Sequence, residues 1–185
     1  MVYYSVTGTV SALATHIAEG AADAGAQVRL RSVHDQNSPT GDAEGATLDD
    51  LDWADVIALG TPARFGNVAS PLKGFLDSTS PLALHGRLAD KLVTGFTSAS
   101  LPNGGQEATL LALYQTMCHW GSVIVPTGYT HPSLRKIGGN PYGLSVTGRE
   151  NGTLSGHEAE AARFVGHRLV TLAARRSLEP VAAES

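Results

Sequence analysis

The sequence predicts a doubly wound α/β sandwich, one parallel β-sheet with helices on both faces. Three observations predict it. Apolar runs that read as strands alternate with helical stripes along the chain. The run at residues 56–59, Val-Ile-Ala-Leu, is apolar at every position, as in a strand covered on both faces. Glycines gather where runs end, at Gly8, Gly60, Gly66, Gly104, Gly105, Gly121, Gly138 and Gly139, where a turn needs positive φ or a close approach.

Taken in order, residues 2–5 are an apolar run ending in hydroxyls and read as the end of a strand. After Gly8, Val10, Leu13, Ala14, Ile17, Ala18 and Ala21 form one helical stripe, which Gly25 ends. Residues 27–33 alternate as a strand does. Residues 37–45 are polar and carry Pro39, Gly41 and Gly45, an exposed loop. The strand at 55–59 is expected to stop at Gly60 and Pro62. Residues 70–78 read as a helix with Leu72, Phe75 and Leu76 on one side. A strand at 91–97 leads through a loop to Gly105. A long helix follows, with Leu110, Leu111, Tyr114, Met117 and Cys118 as its apolar face. Residues 122–126 read as a buried strand and 127–155 as a long irregular stretch. Ser155 starts the last helix, through Val165, Leu169 and Leu172. The order β-α-β-β-α-β-α-β-α places helices between parallel strands. Residues 1–176 form a single domain, and 177–185 a frayed tail.

Composition narrows the function. At 42% hydrophobic and 16% charged, the 185 residues suit one compact domain and not a disordered chain. Thirteen basic against 17 acidic residues, net −4, give no basic surface for nucleic acid. A single cysteine, Cys118, excludes a disulfide framework and a cysteine-rich metal site; on the apolar helix face it reads as inert packing. No run approaches the ~18 apolar residues of a membrane span, and residues 1–5 lack the features of a signal peptide, so a cytoplasmic protein is expected. The seven histidines show no shared ligand spacing, and Ala161 stands where a zinc-protease helix opened by His157-Glu158 would need its second histidine. Gly143-Leu-Ser145-Val-Thr147 lacks the last glycine of a nucleophile elbow. Trp53 and Trp120 read as core or subunit contacts.

In an open parallel sheet, ligands sit beyond the carboxyl ends of the strands. Three such ends carry unusual loops. The first, Ser5, Val6, Thr7, Gly8, Thr9 and Val10, runs from strand to helix with three hydroxyls and a helix N-terminus, a phosphate site or an ordinary hydroxyl cap. It lacks the glycine patterns of dinucleotide and NTPase loops. The second, residues 60–67, sets Pro62, Ala63, Arg64 and Phe65 between two glycines, to hold a flat heterocycle or to form a stiff turn with Phe65 in the core. The third, residues 97–105, offers Ser98, Ala99, Ser100, Leu101, Asn103 and Gly104 as small side chains and backbone donors, or a plain connection. Together they describe a site for a phosphorylated planar cofactor.

The blocks Tyr3-Tyr4-Ser5-x-x-Gly8, Gly60-Thr-Pro-x-Arg-Phe-Gly-Asn67, Phe75-Leu-Asp77, Gly104-Gly-Gln-Glu107, Val123-Ile-Val-Pro-x-Gly-Tyr129 and Pro141-Tyr-Gly143 run in order to about Ala174. In them the sequence resembles flavodoxin-like proteins and, within these, the WrbA-type NAD(P)H:quinone oxidoreductases. The resemblance implies a five-stranded parallel sheet in the order 2-1-3-4-5. It also implies FMN as cofactor, with its phosphate on Ser5 to Val10 and its ring system against Ala63, Arg64 and Phe65 on one side and Ser98 to Gly104 on another. It implies NAD(P)H as co-substrate, with Thr7 matching a nucleotide-contacting position. His119 matches a position that reaches the flavin from a neighbouring subunit of a homotetramer. There it could stabilise charge on a bound quinone or donate a proton; otherwise it caps a helix end.

The sequence departs from that family in four places. Strand one has fewer apolar residues ahead of the phosphate loop. The third loop carries Leu101-Pro102-Asn103 where glycine and threonine are usual, and proline removes a donor. Ala83 stands where a tryptophan lines the family's substrate site, and Thr7 where an aromatic residue stands. Two functional classes remain: an FMN enzyme passing two electrons from NAD(P)H to a quinone-like or other aromatic acceptor, and a flavodoxin-type electron carrier. Carriers are usually strongly acidic to dock on basic partners, and a net charge of −4 favours the enzyme.

Overall fold

A computed structural model describes residues 1–34, 43–148 and 152–177. In chain order its elements are β1 (Val2–Tyr3), α1 (Thr9–Asp23), β2 (Arg31–Ser32), α2 (Leu48–Trp53), β3 (Val56–Arg64), β4 (Asn67–Val68), α3 (Ser70–Asp77), α4 (Ser80–Leu84), β5 (Leu92–Ala99), α5 (Gln106–His119), β6 (Val123–Ile124), α6 (Pro132–Lys136), β7 (Leu144–Thr147) and α7 (Gly156–Ser177). The parallel path through the sheet is β2-β1-β3-β5-β6. Leaving aside the two-residue β4, which folds back antiparallel on the end of β3, this is the 2-1-3-4-5 order.

Strand residues alternate between two cores, as a period of two dictates. Val2, Ile57, Leu59 and Val93 face α3 and α5, where they meet Leu72, Leu76, Leu110 and Met117. Tyr3, Ala58, Leu92 and Phe96 face α1 and α7, where they meet Leu13, Ile17, Val165 and Leu169. The two helices on that side pack unusually closely: a Cβ built on Gly20 would lie 2.0 Å from the carbonyl oxygen of Arg163, and one on Gly166 2.0 Å from that of Ile17. Ser155 and Glu158 close α7's start reciprocally, each accepting from the other's N–H.

Several expectations need correction. β3 does not stop at Gly60 but runs on to Arg64. Tyr4 N–H donates to Gly60 C=O at 2.9 Å, so by alternation Pro62 turns its nitrogen toward the same side. β1 has already ended there, and the missing N–H costs nothing. The stretch from 127 is not irregular throughout. β6 pairs with Leu92 and Val93, while β7 pairs with Phe96 to Ala99. The fifth line of the sheet is therefore built from two pieces, with α6 looped out between them. β6 is also not a buried strand; it lies at the sheet's edge, and Val123 is exposed. On α5 the buried positions are Leu110, Leu113, Tyr114 and Met117, whereas Leu111 and Cys118 face outward. Positions 111 and 118 each sit one residue, about 100°, past the stripe. The loop at 37–45 falls mostly outside the described residues, as does the tail at 177–185 apart from Ser177, the last residue of α7. Trp120 is buried, its Nε1 donating to Thr79 Oγ1 at 2.9 Å, while Trp53 is half exposed beneath the Arg29 guanidinium, 4.0 Å from its ring centre.

Asp50 ties α2 to the strand-two segment. Its carboxylate accepts from Arg29, Arg31 and Thr47 N–H, each at 3.1 Å. Burial alone would raise its pKa, but the bonds from Thr47 and the two arginines outweigh it and hold the pKa below the ordinary 3.8. A depressed carboxylate stabilises the fold above its unfolded pKa and loses that contribution as pH falls through the folded value. Asp50→Asn should lower stability by about 2 kcal/mol at pH 7. The deficit against the parent should shrink below pH ~4, as melting curves from pH 7 to pH 3 would show.

Candidate cofactor site

Three chain crossings meet at the carboxyl edge of the sheet. At the first, Gly8 (φ 89°, ψ −20°) is the N-cap of α1, with no side-chain cap and no acidic residue in the first turn. The helix start therefore presents open N–H groups and the positive end of its dipole. Ser5 Oγ accepts from Ser11 N–H at 3.3 Å, which fixes how the loop enters the helix. Thr9 is 1% exposed, and among the described residues its Oγ1 has no hydrogen-bond partner. An orphaned buried hydroxyl costs about 1–3 kcal/mol unless something binds it. Val6 and Val10 pack into the two cores, so only their backbones can serve a ligand. Thr7 is exposed. Gly152 lies on Gly8, where a Cβ would come within 2.6 Å of the Gly8 carbonyl carbon. Gly148 stands beside Thr9, an ideal Cβ falling 3.3 Å from Oγ1. Gly148 and Gly152 thus pack directly against the first loop.

The second crossing is the β3–β4 hairpin. Phe65 (φ 52°) and Gly66 (φ 75°) are both left-handed, between the paired residues Arg64 and Asn67, as in a type I′ turn. Phenylalanine in that conformation costs roughly 1–2 kcal/mol, and its ring ends fully exposed, not in the core. Strain that holds an apolar ring out of the core marks a contact surface. Behind it, Thr61 Oγ1 accepts from Ala69 N–H at 3.0 Å and Thr97 Oγ1 donates to Thr61 C=O at 2.6 Å, tying the hairpin base to β5.

At the third crossing Ser98 and Ala99 are buried in β5, while Ser100, Leu101, Pro102 and Asn103 are exposed. Leu101 C=O accepts from Gly104 N–H at 3.0 Å and from Gln106 Nε2 at 2.9 Å, closing a tight turn. A Cβ on Gly104 would meet Ala99 Cβ at 2.5 Å, and one on Gly105 (φ 84°) would meet Gly66 Cα at 2.8 Å. The second and third loops therefore touch backbone to backbone, and only glycine allows it. Pro102 lacks an N–H and that of Gly104 is spent inside the turn, so among the described residues the loop's remaining backbone donors are those of Ser100, Leu101, Asn103 and Gly105.

The structure thus brings Ser5 to Val10, Ala63 to Phe65 and Ser98 to Gly104 to one edge. His119 is elsewhere. It is exposed at the far end of α5, about 20 Å from the helix start at the site. Ala83 lies at that far end too, since Thr79 at the start of α4 is bonded to Trp120. The reading of 127–155 as irregular also hid a cavity of about 660 Å³ beside the third loop, between Asn103, Gln106 and Glu107 on one side and Asn140, Ser145 and Thr147 on the other. Tyr114 holds that region in place, its hydroxyl bonded to Tyr142 C=O and Gly95 N–H. The alternation of residues 144–147 was the signal that could have found it. Among the described residues, no three His, Cys, Asp or Glu side chains gather as a metal site would require, and no helix is long and apolar enough to cross a membrane.

The donor set fits a phosphorylated planar cofactor: a helix start with a glycine N-cap and a buried hydroxyl that has no partner among the described residues for the phosphate, and an exposed ring beside peptide donors for the heterocycle. Residues 5–133 match the NADPH-dependent FMN reductase family. The chain belongs to that family. Similarity to individual proteins extends over nearly the whole chain. A NAD(P)H dehydrogenase (quinone) from Deinococcus radiodurans is 40% identical, with 95% of this chain and 94% of that protein covered. NAD(P)H dehydrogenase (quinone) 3 from Rhizobium meliloti is 35% identical over 96% and 92%. Among solved structures, a flavodoxin, WrbA-like protein from Agrobacterium tumefaciens superposes with a TM-score of 0.73 at 26% identity, covering 94% of this chain and 95% of that one.

Proposed function

We propose that the protein is an FMN-dependent oxidoreductase that takes a hydride from NAD(P)H and reduces a quinone-like acceptor by two electrons. The observation that carries the reading is the buried Thr9 hydroxyl, without a partner among the described residues, at a helix start whose N-cap is Gly8, on the same sheet edge as the strained, exposed Phe65. The naming of the curated relatives supports the acceptor class. FMN, when bound, supplies the hydride chemistry. Ser5 to Val10 bind and orient its phosphate, through backbone N–H groups and the Thr9 hydroxyl. Ala63 to Phe65 shield one side of the ring system, and the open N–H groups of Ser100, Leu101 and Asn103 favour negative charge on its polar edge, by the logic of an oxyanion hole. Thr7 lies exposed at the mouth, where the nucleotide co-substrate enters.

His119 and Ala83 act from a neighbouring copy. Both sit at the far end of their own chain, and exposed Phe65, Leu84, Leu101 and Leu111 are apolar surface that assembly would cover. The working unit is then a homo-oligomer, a tetramer by resemblance. Low cysteine content agrees with a cytoplasmic location.

The test is an anaerobic NADH titration of FMN-loaded protein followed in the flavin's visible band. Direct bleaching in one phase, then recolouring by a quinone, is expected. A protein that holds FMN but ignores NADH would be a carrier, and the reading would fail. Arg64, exposed beside Phe65, gives a second check: Arg64→Ala should raise the FMN dissociation constant up to about tenfold or slow turnover. Unchanged affinity and rate would remove the hairpin from the site.

A further inference from the structure

The fifth line of the sheet breaks opposite the middle of β5. β6 pairs with β5 only as far as Val93, and β7 takes over at Phe96. Val93 C=O accepts from Val125 N–H and Ala99 C=O from Gly148 N–H, each at 2.7 Å. By alternation Gly95, lying between them, turns its peptide groups toward the break. A buried N–H needs a partner, and here a side chain supplies one. The hydroxyl of Tyr114, on the buried face of α5, accepts from Gly95 N–H at 3.3 Å and donates to Tyr142 C=O. One phenol therefore joins β5 to the chain two residues ahead of β7. Glycines make the room: a Cβ on Gly95 would lie 3.3 Å from Tyr114 Cε1, and one on Gly143 2.9 Å from the hydroxyl oxygen. Burial outweighs the hydrogen bonds and raises the phenol's pKa above its ordinary 10, so the donated proton stays in place at neutral pH.

We propose that Tyr114 is a positioning residue for the cofactor pocket: its hydroxyl pins the start of β7, and β7 holds Gly148 and Gly152 against the first loop. Among the described residues β7 pairs with β5 alone, and a four-residue edge strand held on one side opens locally at low cost. The pin matters for that reason. At the strand's other end Gly148 stands beside Thr9, and Gly152 lies on Gly8. A shift of β7 therefore reaches the Gly8 N-cap and the buried Thr9 hydroxyl by direct contact. Both partners of the Tyr114 hydroxyl lie outside the three loops, so it acts on the site through β7. The proposal rests on reading the first loop as the FMN phosphate site.

The experiment compares Tyr114→Phe with the parent and with Asp50→Asn, which weakens the fold at the opposite edge of the sheet. FMN release is timed by the fluorescence recovered on dilution, and amide hydrogen exchange is followed in the cofactor-free proteins. Tyr114→Phe is expected to speed FMN release about tenfold, the loss of one buried hydrogen-bonding group expressed in dissociation. It is also expected to speed exchange at Val146, Gly148 and Ala12, the last of which donates to Gly8 C=O at 2.8 Å. Asp50→Asn should lower Tm but leave release and those three amides as in the parent. Unchanged release and unchanged Ala12 exchange in Tyr114→Phe would overturn the proposal. So would equal acceleration by Asp50→Asn, since the effect would then be one of overall stability. A parent that binds no FMN would refute the phosphate-site reading instead, and Ala12 exchange would still decide whether Tyr114 positions the loop.

Discussion

Gly166→Ala should destabilise the protein by about 3 kcal/mol or more, lowering Tm by roughly 6–12 °C, although alanine is the better helix former. The added methyl would fall 2.0 Å from the Ile17 carbonyl oxygen and 2.8 Å from the Ala21 nitrogen. Both are backbone atoms of α1, so no rotamer change relieves the clash. The two helices must move apart, and Leu13, Ile17, Val165 and Leu169 lose contact with one another. Gly74 in α3 is the control, because a methyl there meets nothing within 4 Å. Gly74→Ala should gain about 0.5–1 kcal/mol from helix propensity. Calorimetry of the two variants decides the matter: a Gly166→Ala protein that melts at or above the parent's temperature would refute the close-packing account.

Thr9→Val separates a ligand-binding role from a structural one by opposite signs. Valine keeps nearly the same shape but removes the buried hydroxyl that has no partner among the described residues. Without cofactor, the variant should melt at the parent's temperature or higher, because an unsatisfied polar group has been deleted. With FMN, the dissociation constant should rise about tenfold or more, the loss of a hydrogen bond to a charged phosphate. Quenching of flavin fluorescence measures the affinity, and thermal melting of the apo-protein measures the stability. A variant that melts lower and binds FMN unchanged would make Thr9 a structural residue only.

The first and third loops were legible in the sequence because their signals are local. Gly8 follows a strand and precedes a helical stripe, and the small residues after Thr97 end an apolar run. The second was legible in its residues but not in its shape. Nothing in Thr61-Pro62-Ala63-Arg64-Phe65 says that the proline is harmless. That follows from β1 ending before Pro62 reaches it, a fact about a strand nearly 60 residues earlier in the chain. Likewise, Phe65 in the core and Phe65 held in water share one sequence, and the left-handed turn decides between them.

By itself the sequence determined the layering: periods of two and 3.6 place apolar residues on two sheet faces and on helix stripes, and alternating elements with short turns admit few topologies. Tertiary structure alone decided what depends on residues distant in the chain meeting. Gly66 meets Gly105, Gly8 meets Gly152, and β6 and β7 share one partner strand across a twenty-residue excursion. His119 and Ala83 go to the end of the molecule away from the loops they were read with, because α5 runs antiparallel to the strands. Local patterns encode which face a side chain takes, since that is set by backbone geometry within a few residues. They do not encode which loops touch, because that depends on the summed packing of every element between them.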